Sequence, residues 1–262
     1  MGREEHERAV RFRTARRDPE LTVVEGFHAL KHALRFGAEV IEAVAVDPSA
    51  LEAMAADLAP DLAGQISGRV EAVDKETLAD LVPLVPHTGV AAIARRPRVD
   101  LAAALADRAP APAVLLEQPR NMGNIGACIR VAAAAGAAAL IATGENDPWH
   151  PDAVRGAAGL QFALPVAKAP SLPASDRPLL AIDPDGEDLA PERLPDRAVL
   201  AFGTERHGLS REVFERADAR IAIPMREGVS SLNLATSVAI VLFAIKLKTG
   251  DAAGRSPEQR PE

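Results

Sequence analysis

Five short apolar runs, none of them alternating strictly, set the strongest limit on how this chain can fold. Ala113–Leu116, Ala138–Ala142, Leu179–Ile182, Ala198–Phe202 and Arg220–Ile223 are separated by helix or loop signals. A strand with one wet face alternates apolar and polar residues, whereas a strand covered on both faces does not. The runs therefore predict buried, mostly parallel strands of an α/β domain spanning residues 113–248. The closing helix, read as Ser231 to Lys246, has Val238, Ala239, Ile240, Val241, Leu242, Phe243, Ala244 and Ile245 in succession. A helix apolar all round must be covered on more than one side, which predicts a homodimer packed partly through this helix.

Residues 21–98 read differently, as a small alternating α/β domain. Leu21–Val24 starts extended, and Phe27, Leu30 and Leu34 recur at helical spacing in Gly26–Phe36, with Gly37 as a stop. Val40–Val46, Arg69–Val73 and Gly89–Ala94 read as strands, Ser49–Leu58 and Lys75–Leu81 as helices. Residues 99–112 read as a linker: a helix at Asp100–Ala106, then the stiff Ala109-Pro-Ala-Pro112. Residues 1–20 read as a basic tail, of which residues 1–17 carry Arg3, Arg8, Arg11, Arg13, Arg16 and Arg17 against Glu4, Glu5 and Glu7 (6 − 3 = +3), and 249–262 as a flexible C-terminal tail. Arg95, Arg96 and Arg98 form a second basic cluster. Charge alone leaves both clusters open to two readings, solvated segments or phosphate-contacting surfaces.

Several function classes fall away. The net charge of −7 argues against a molecule coated in nucleic-acid-binding surface. Without tyrosine, and with few aromatics, base-stacking platforms of the RRM or OB kind have no material. A single cysteine makes neither an internal disulfide nor a thiolate zinc site, and His28 and His32, four apart on one helix, have only Glu25 nearby, so no metal is expected. The longest weakly polar run, Val131 to Ala142, is too short to span a bilayer and the N-terminus opens on charges, so a cytoplasmic protein without membrane contact is expected.

The chemistry-bearing residues lie where the apolar strands end, which is where open α/β sheets bind ligands. Glu117 to Gly136 runs from a strand exit through a Gly/Asn loop into a helix and lacks the G-x-G-x-x-G order of a dinucleotide site. In that helix Ile125, Cys128, Ile129, Ala132 and Gly136 form a core-facing stripe, so Cys128 reads as a small buried hydrophobe. Arg130 interrupts an otherwise uncharged run and requires either an anionic ligand or a structural ion pair. Leu200 to Ser210 offers Gly203 for close backbone approach and Glu205 as a carboxylate. In Ile221 to Ala235, Ser230, Ser231 and Asn233 are either ligand contacts or local caps for the last helix.

Together these segments resemble the SpoU/TrmH branch of the SPOUT RNA methyltransferases. Asn124-Ile-Gly-Ala-Cys-Ile-Arg130 is similar to its N-x-G-x-x-x-R, Gly203-Thr-Glu-x-x-Gly-Leu209 to its G-x-E-x-x-G-L, and Ile223-Pro-Met with Ser231-Leu-Asn233 to its I-P-M…S-L-N. Asp147 to Gly159 looks like D-P-x-x-P-x-x-x-R-x-S-x-G with Ala157 at the usual serine, and Val24-Glu-Gly-Phe-His-Ala-Leu30 and His87-x-Gly-Val-Ala-Ala-Ile93 look like the family's L30e-like substrate-binding module. The resemblance implies a trefoil-knotted methyltransferase domain, a homodimer, S-adenosylmethionine as methyl donor, no metal, and the ribose 2′-hydroxyl of RNA, rRNA before tRNA and not DNA, as acceptor. It implies Arg130 as the catalytic arginine, with Asn124, Glu205, Ser231 and Asn233 orienting ribose and cofactor. Gly203, Ile223 and Leu232 would hold the adenine through their backbone, with Phe202 and Met225 as walls. Arg155, in the matched segment, and Arg95 and Arg96, from the second basic cluster, are the candidate RNA contacts. The main rival is a non-catalytic RNA-binding or assembly protein that kept the fold.

Overall fold

The computed structural model describes residues 2–204 and 208–252, the last four as backbone. In chain order its elements are α1 (Arg3–Ala15), β1 (Leu21–Glu25), α2 (Phe27–Arg35), β2 (Val40–Ala45), α3 (Pro48–Leu58), α4 (Ala63–Ser67), β3 (Val70–Ala72), α5 (Lys75–Leu81) and β4 (Val90–Arg95). There follow α6 (Leu101–Ala106), β5 (Ala113–Leu116), α7 (Met122–Ala135), β6 (Ala139–Ala142), α8 (Pro151–Gly156), β7 (Val166–Lys168), β8 (Leu179–Asp188), β9 (Val199–Phe202), α9 (Arg211–Arg216), β10 (Ala219–Ala222) and α10 (Leu234–Ala252). No helix among the described residues is long and apolar enough to cross a membrane.

The chain divides into two compact units that do not follow chain order. The first comprises the residues up to Val99 with Asn121–Arg130 and Asp147–Val166, and the second Asp100–Arg120, Val131–Asn146 and the residues from Ala167 on. Glycines explain why the two later segments join the first unit. A Cβ on Gly126 would meet Ala153 O at 2.5 Å and Ala157 N at 2.8 Å, and one on Gly159 would meet Ala29 O at 2.5 Å. Only bare backbone permits such approach.

Within the first unit a four-stranded sheet of order β1-β4-β2-β3 is covered on both faces. Strand alternation sorts the cover: Val24, Ala43, Ala45, Ala92 and Ala94 pack with Phe27, Leu30 and Leu51, while Val23, Val44, Ala91 and Ile93 pack with Phe12, Leu78 and Leu81. Phe12 belongs to α1, so residues 3–15 are a packed helix and not a tail. Several arginines of the segment are ion-paired: Arg8, 7% exposed, pairs with Glu42 and Glu71, Arg11 with Glu42 and Arg16, just after the helix, with Glu25. Burial alone would raise the Glu42 carboxyl, but Arg11 and Arg8 hold it below its ordinary value.

The second unit is built on a six-stranded sheet of order β10-β8-β9-β5-β6-β7, whose β10–β8, β8–β9, β9–β5 and β5–β6 pairs are parallel. The apolar runs are buried throughout β5, β6 and β9. The predicted linker is held by Arg177, whose guanidinium donates to the carbonyls of Ala104, Leu105, Asp107 and Ala111 and so satisfies the C-terminal end of α6. The last helix starts at Leu234 and not at Ser231, because Asn233 Oδ1 accepts the Ala235 N–H at 2.9 Å. It continues to Ala252, and residues 253–262 of the predicted C-terminal tail lie outside the described residues.

Candidate active site

β8 carries an interruption that shapes the site. Against β10 it pairs Leu180 and Ala181 with Ala219 and Arg220, then skips to Glu187 and Asp188 against Ile221 and Ala222. Ile182 to Gly186 therefore bulge from that ladder, and Gly186 lies so close to the Arg220 backbone that a Cβ would meet the Arg220 carbonyl carbon at 2.6 Å. Arg220 holds the Asp183 carboxylate at 2.5 Å. Ile182, Asp183 and Pro184 are thus presented as one wall of a cavity of about 290 Å³.

Phe202, Gly203, Thr204 and Gly208 form a second wall at the end of β9. Thr204 and Gly208 exchange both backbone hydrogen bonds, at 3.1 and 3.0 Å, which joins them in an antiparallel bridge with Gly208 at φ +63°. A Cβ on Gly203 would fall inside the backbone of Gly208 and Leu209. Glu117, at the exit of β5, anchors the loop base: its N–H donates to Phe202 O, and its Oε2 accepts the Ser210 N–H at 2.6 Å. Glu205 lies outside the described residues. The third wall follows β10 and comprises Ile223, Met225, Ser230, Ser231 and Leu232, with Leu234 and Ser237 from the start of α10.

The structure thus brings Phe202, Gly203, Ile223, Met225, Leu232 and Ser231 to one cavity, while Asn233 caps α10 immediately after it. Asp183, Arg220 and Glu117 were not singled out as site residues. Their nearest signal is position, since Asp183 and Glu117 follow apolar runs as the motif residues do. The lining suits a nucleoside cofactor: Ile182, Phe202, Ile223, Met225 and Leu232 offer apolar surface for a base, and Asp183 and the serines offer polar groups for a ribose.

The other candidates belong to the first unit. Arg130 is exposed on α7 and has no carboxylate partner among the described residues, so the structural ion pair is not seen there. Asn124 is half-buried in the first turn of the same helix, where its N–H donates to Asn121 Oδ1 at 2.9 Å. The three predicted RNA contacts are occupied internally. Arg155 pairs with Asp152 and with the wholly buried Glu25, which also binds Arg16, so the three fasten α8, β1 and the end of α1. Arg96, 12% exposed, donates to Leu21 O and Asp147, and Arg95 binds Glu39. Apart from Asp152, their carboxylates lie 51 to 130 residues away in sequence, which local charge counting cannot register. Ala157 is fully buried against Gly126, so the usual serine is replaced here at a packing position. His32 is tied by Nδ1 to Ala158 O at 2.7 Å.

Comparison with known proteins accords with this arrangement. The pattern of the SpoU rRNA Methylase family matches residues 111–243, and that of RNA 2'-O ribose methyltransferase substrate binding matches residues 23–99. The chain is 29% identical over 239 residues to the 23S rRNA (adenosine(1067)-2'-O)-methyltransferase of Streptomyces azureus, covering 87% of each. It is 31% identical over 201 residues, 72% of this chain and 69% of the other, to a tRNA/rRNA methyltransferase of Mycobacterium bovis. The SpoU methyltransferase AviRb from Streptomyces viridochromogenes, solved with AdoMet, superposes with a TM-score of 0.76, covering 97% of this chain and 100% of that one; at 24% identity the likeness is one of fold. Two matched patterns covering most of the chain, and a relative aligned over nearly its whole length, place this protein in the SpoU rRNA methylase family.

Proposed function

We propose that the protein transfers a methyl group from S-adenosylmethionine to a ribose 2′-hydroxyl of RNA, rRNA before tRNA, acting in the cytoplasm as a homodimer with the knotted chain path of its family. The observation that carries this reading is the convergence of Phe202, Gly203, Ile223, Met225, Leu232 and Ser231 on one cavity at the strand ends. Bound there, the cofactor supplies a methyl group activated by a sulfonium. The backbone of Gly203, Ile223 and Leu232 would hold the adenine, and the Asp183 carboxylate, fixed in place by Arg220, would accept a hydrogen bond on the polar side.

Methyl transfer to a hydroxyl needs alignment and help with the proton rather than a covalent intermediate. Arg130 binds the phosphate beside the target ribose and stabilises charge developing on the 2′-oxygen; a guanidinium, always protonated, is a poor base but a good bidentate anion partner. Asn124, Glu205, Ser231 and Asn233 orient ribose and cofactor. The homodimer is supported by α10, where Val238, Val241, Leu242 and Ile245 are buried while Ile240, Phe243, Ala244 and Leu247 form a less buried apolar stripe at i, i+3, i+4 and i+7.

Calorimetry with S-adenosylmethionine and its demethylated product tests the cavity, with binding expected in the absence of metal. Mapping 2′-O-methylation in rRNA and tRNA from cells with and without the protein tests the reaction. A folded protein that binds RNA yet neither binds cofactor nor changes any 2′-O-methylation is an assembly factor instead.

A further inference from the structure

Among the basic side chains of the first unit that make no ion pair within the described residues, four gather at His28. Arg8, Arg16, Arg35, Arg95, Arg96 and Arg155 each hold a carboxylate. His28, Lys31, His87 and Arg130 hold none among the described residues. His28 and Lys31, three apart on α2, share a helix face. The Phe27 N–H donates to Thr88 Oγ1 at 3.0 Å, which fastens the start of α2 beside His87.

Arg130 is brought to the same place by close backbone packing. One short segment, residues 153–159, presses Gly159 onto Ala29 of α2 and Ala153 and Ala157 onto Gly126 of α7. The His32–Ala158 hydrogen bond locks the same contact. The part of α7 that ends in Arg130 is therefore held to the segment that holds α2. The His28 imidazole registers the result: partial desolvation first, then the charges of Lys31 and Arg130 and the ring of His87, lower its pKa.

We infer that His28, Lys31, His87 and Arg130 form one subsite for a phosphodiester of the RNA backbone. All four can donate hydrogen bonds, and none is ion-paired with a carboxylate among the described residues; Asp61, whose charge reaches Lys31, is itself held by Arg35, so the group gains most when an anion is bound. In a chain of net charge −7, such a local patch is what RNA contact requires. The inference rests on the proposed RNA methylation and extends it. The phosphate assigned above to Arg130 is shared with α2 and the loop before β4, so the substrate-binding region helps position the RNA backbone that Arg130 binds. His28 and His87 are positioning residues in this scheme.

Filter binding of the full chain to deproteinised 23S rRNA, without cofactor, tests it. His28 and His87 are both exposed, so the double variant His28→Ala/His87→Ala is expected to melt as the wild type does. It should bind rRNA about tenfold or more weakly and, in methylation assays, raise KM more than it lowers kcat. His28→Gln/His87→Gln keeps a donor at each place and should recover part of the loss. Lys31→Ala should flatten the dependence of log affinity on log salt by about 0.7–0.9, whereas Arg3→Ala, outside the patch, should not. Cofactor affinity should be unchanged in all of them. rRNA binding by the double alanine variant equal to wild type overturns the subsite, as does equal loss with glutamine and alanine. Failure of the methylation reading looks different, since the wild type would then bind rRNA through the patch without taking up cofactor.

Discussion

Gly203→Ala probes the cavity at its least forgiving point. The added Cβ would sit closer than van der Waals contact to the carbonyl carbon and oxygen of Gly208 and to the Leu209 nitrogen, all of them backbone. No side-chain rotation relieves that clash, so the loop itself must open. Opening separates Thr204 from Gly208 and breaks their two hydrogen bonds of 3.1 and 3.0 Å. At about 0.5–1.5 kcal/mol each, the loss is about 1–3 kcal/mol, or roughly 2–10 °C in Tm for a chain of this size. Because the same loop forms one wall of the 290 Å³ cavity, its displacement should cost more in binding than in stability. An increase in Kd for S-adenosylmethionine of about 100-fold corresponds to ~2.7 kcal/mol, the scale expected when a preformed pocket wall is lost. Calorimetry and thermal unfolding on the same preparation read both. A variant that binds within twofold of wild type would refute the reasoning, since the loop would then be neither closed as described nor part of the cofactor site.

Arg130→Ala should lower kcat by about 10²–10³, leaving the melting temperature and cofactor affinity as in wild type, and Arg130→Lys should restore little because lysine lacks the planar fork; single-turnover methylation checks this, and unfolding without loss of turnover in the folded fraction would count against the catalytic role. Glu42→Gln should destabilise the first unit at neutral pH, and the sign of the pH dependence follows from the lowered carboxyl. Its stabilisation is fully present above the ordinary carboxylate pKa and fades as pH falls through the depressed folded value, so denaturant titrations of wild type and variant should converge in acid. Leu247→Glu, at a residue 61% exposed, should cost the monomer little but bury a charge in the proposed homodimer, so light scattering should show dissociation.

Strands β5, β6 and β9 were legible because burial on both faces removes alternation, and that is a property of the local run. The full extent of β8 was not, since its residues beyond Ile182 pair through a bulge set by contact with Arg220, 34 or more residues further along. The candidate cavity was legible at Phe202, Gly203, Ile223, Met225 and Leu232 because these sit in ordered motifs at strand ends. Asp183 was hidden because its function as a wall depends on that same bulge. α1 reads as a charged tail because its buried stripe is thin, Ala9, Phe12 and Ala15, and because Arg8 finds its partners at Glu42 and Glu71. Charge seeks partners in space, and one-dimensional counting assigns it to solvent.

The interleaving of the two compact units bears on how such proteins exchange parts. The family pattern that begins at residue 111 contains Arg155 and Gly159, yet these pack with Glu25 and Ala29 of the segment before residue 99. A chimera spliced at the linker, with a foreign substrate-binding region, would bring together an Arg155 and a Glu25 that never coevolved, and a Gly159 facing an unmatched Ala29. The buried Glu25 has a fully enclosed side chain and depends on guanidinium groups from both sides of the splice. Recombination at the apparent boundary is therefore penalised, and RNA specificity in this architecture should drift by point substitution on α2 and the loop before β4 rather than by wholesale replacement of the substrate-binding region.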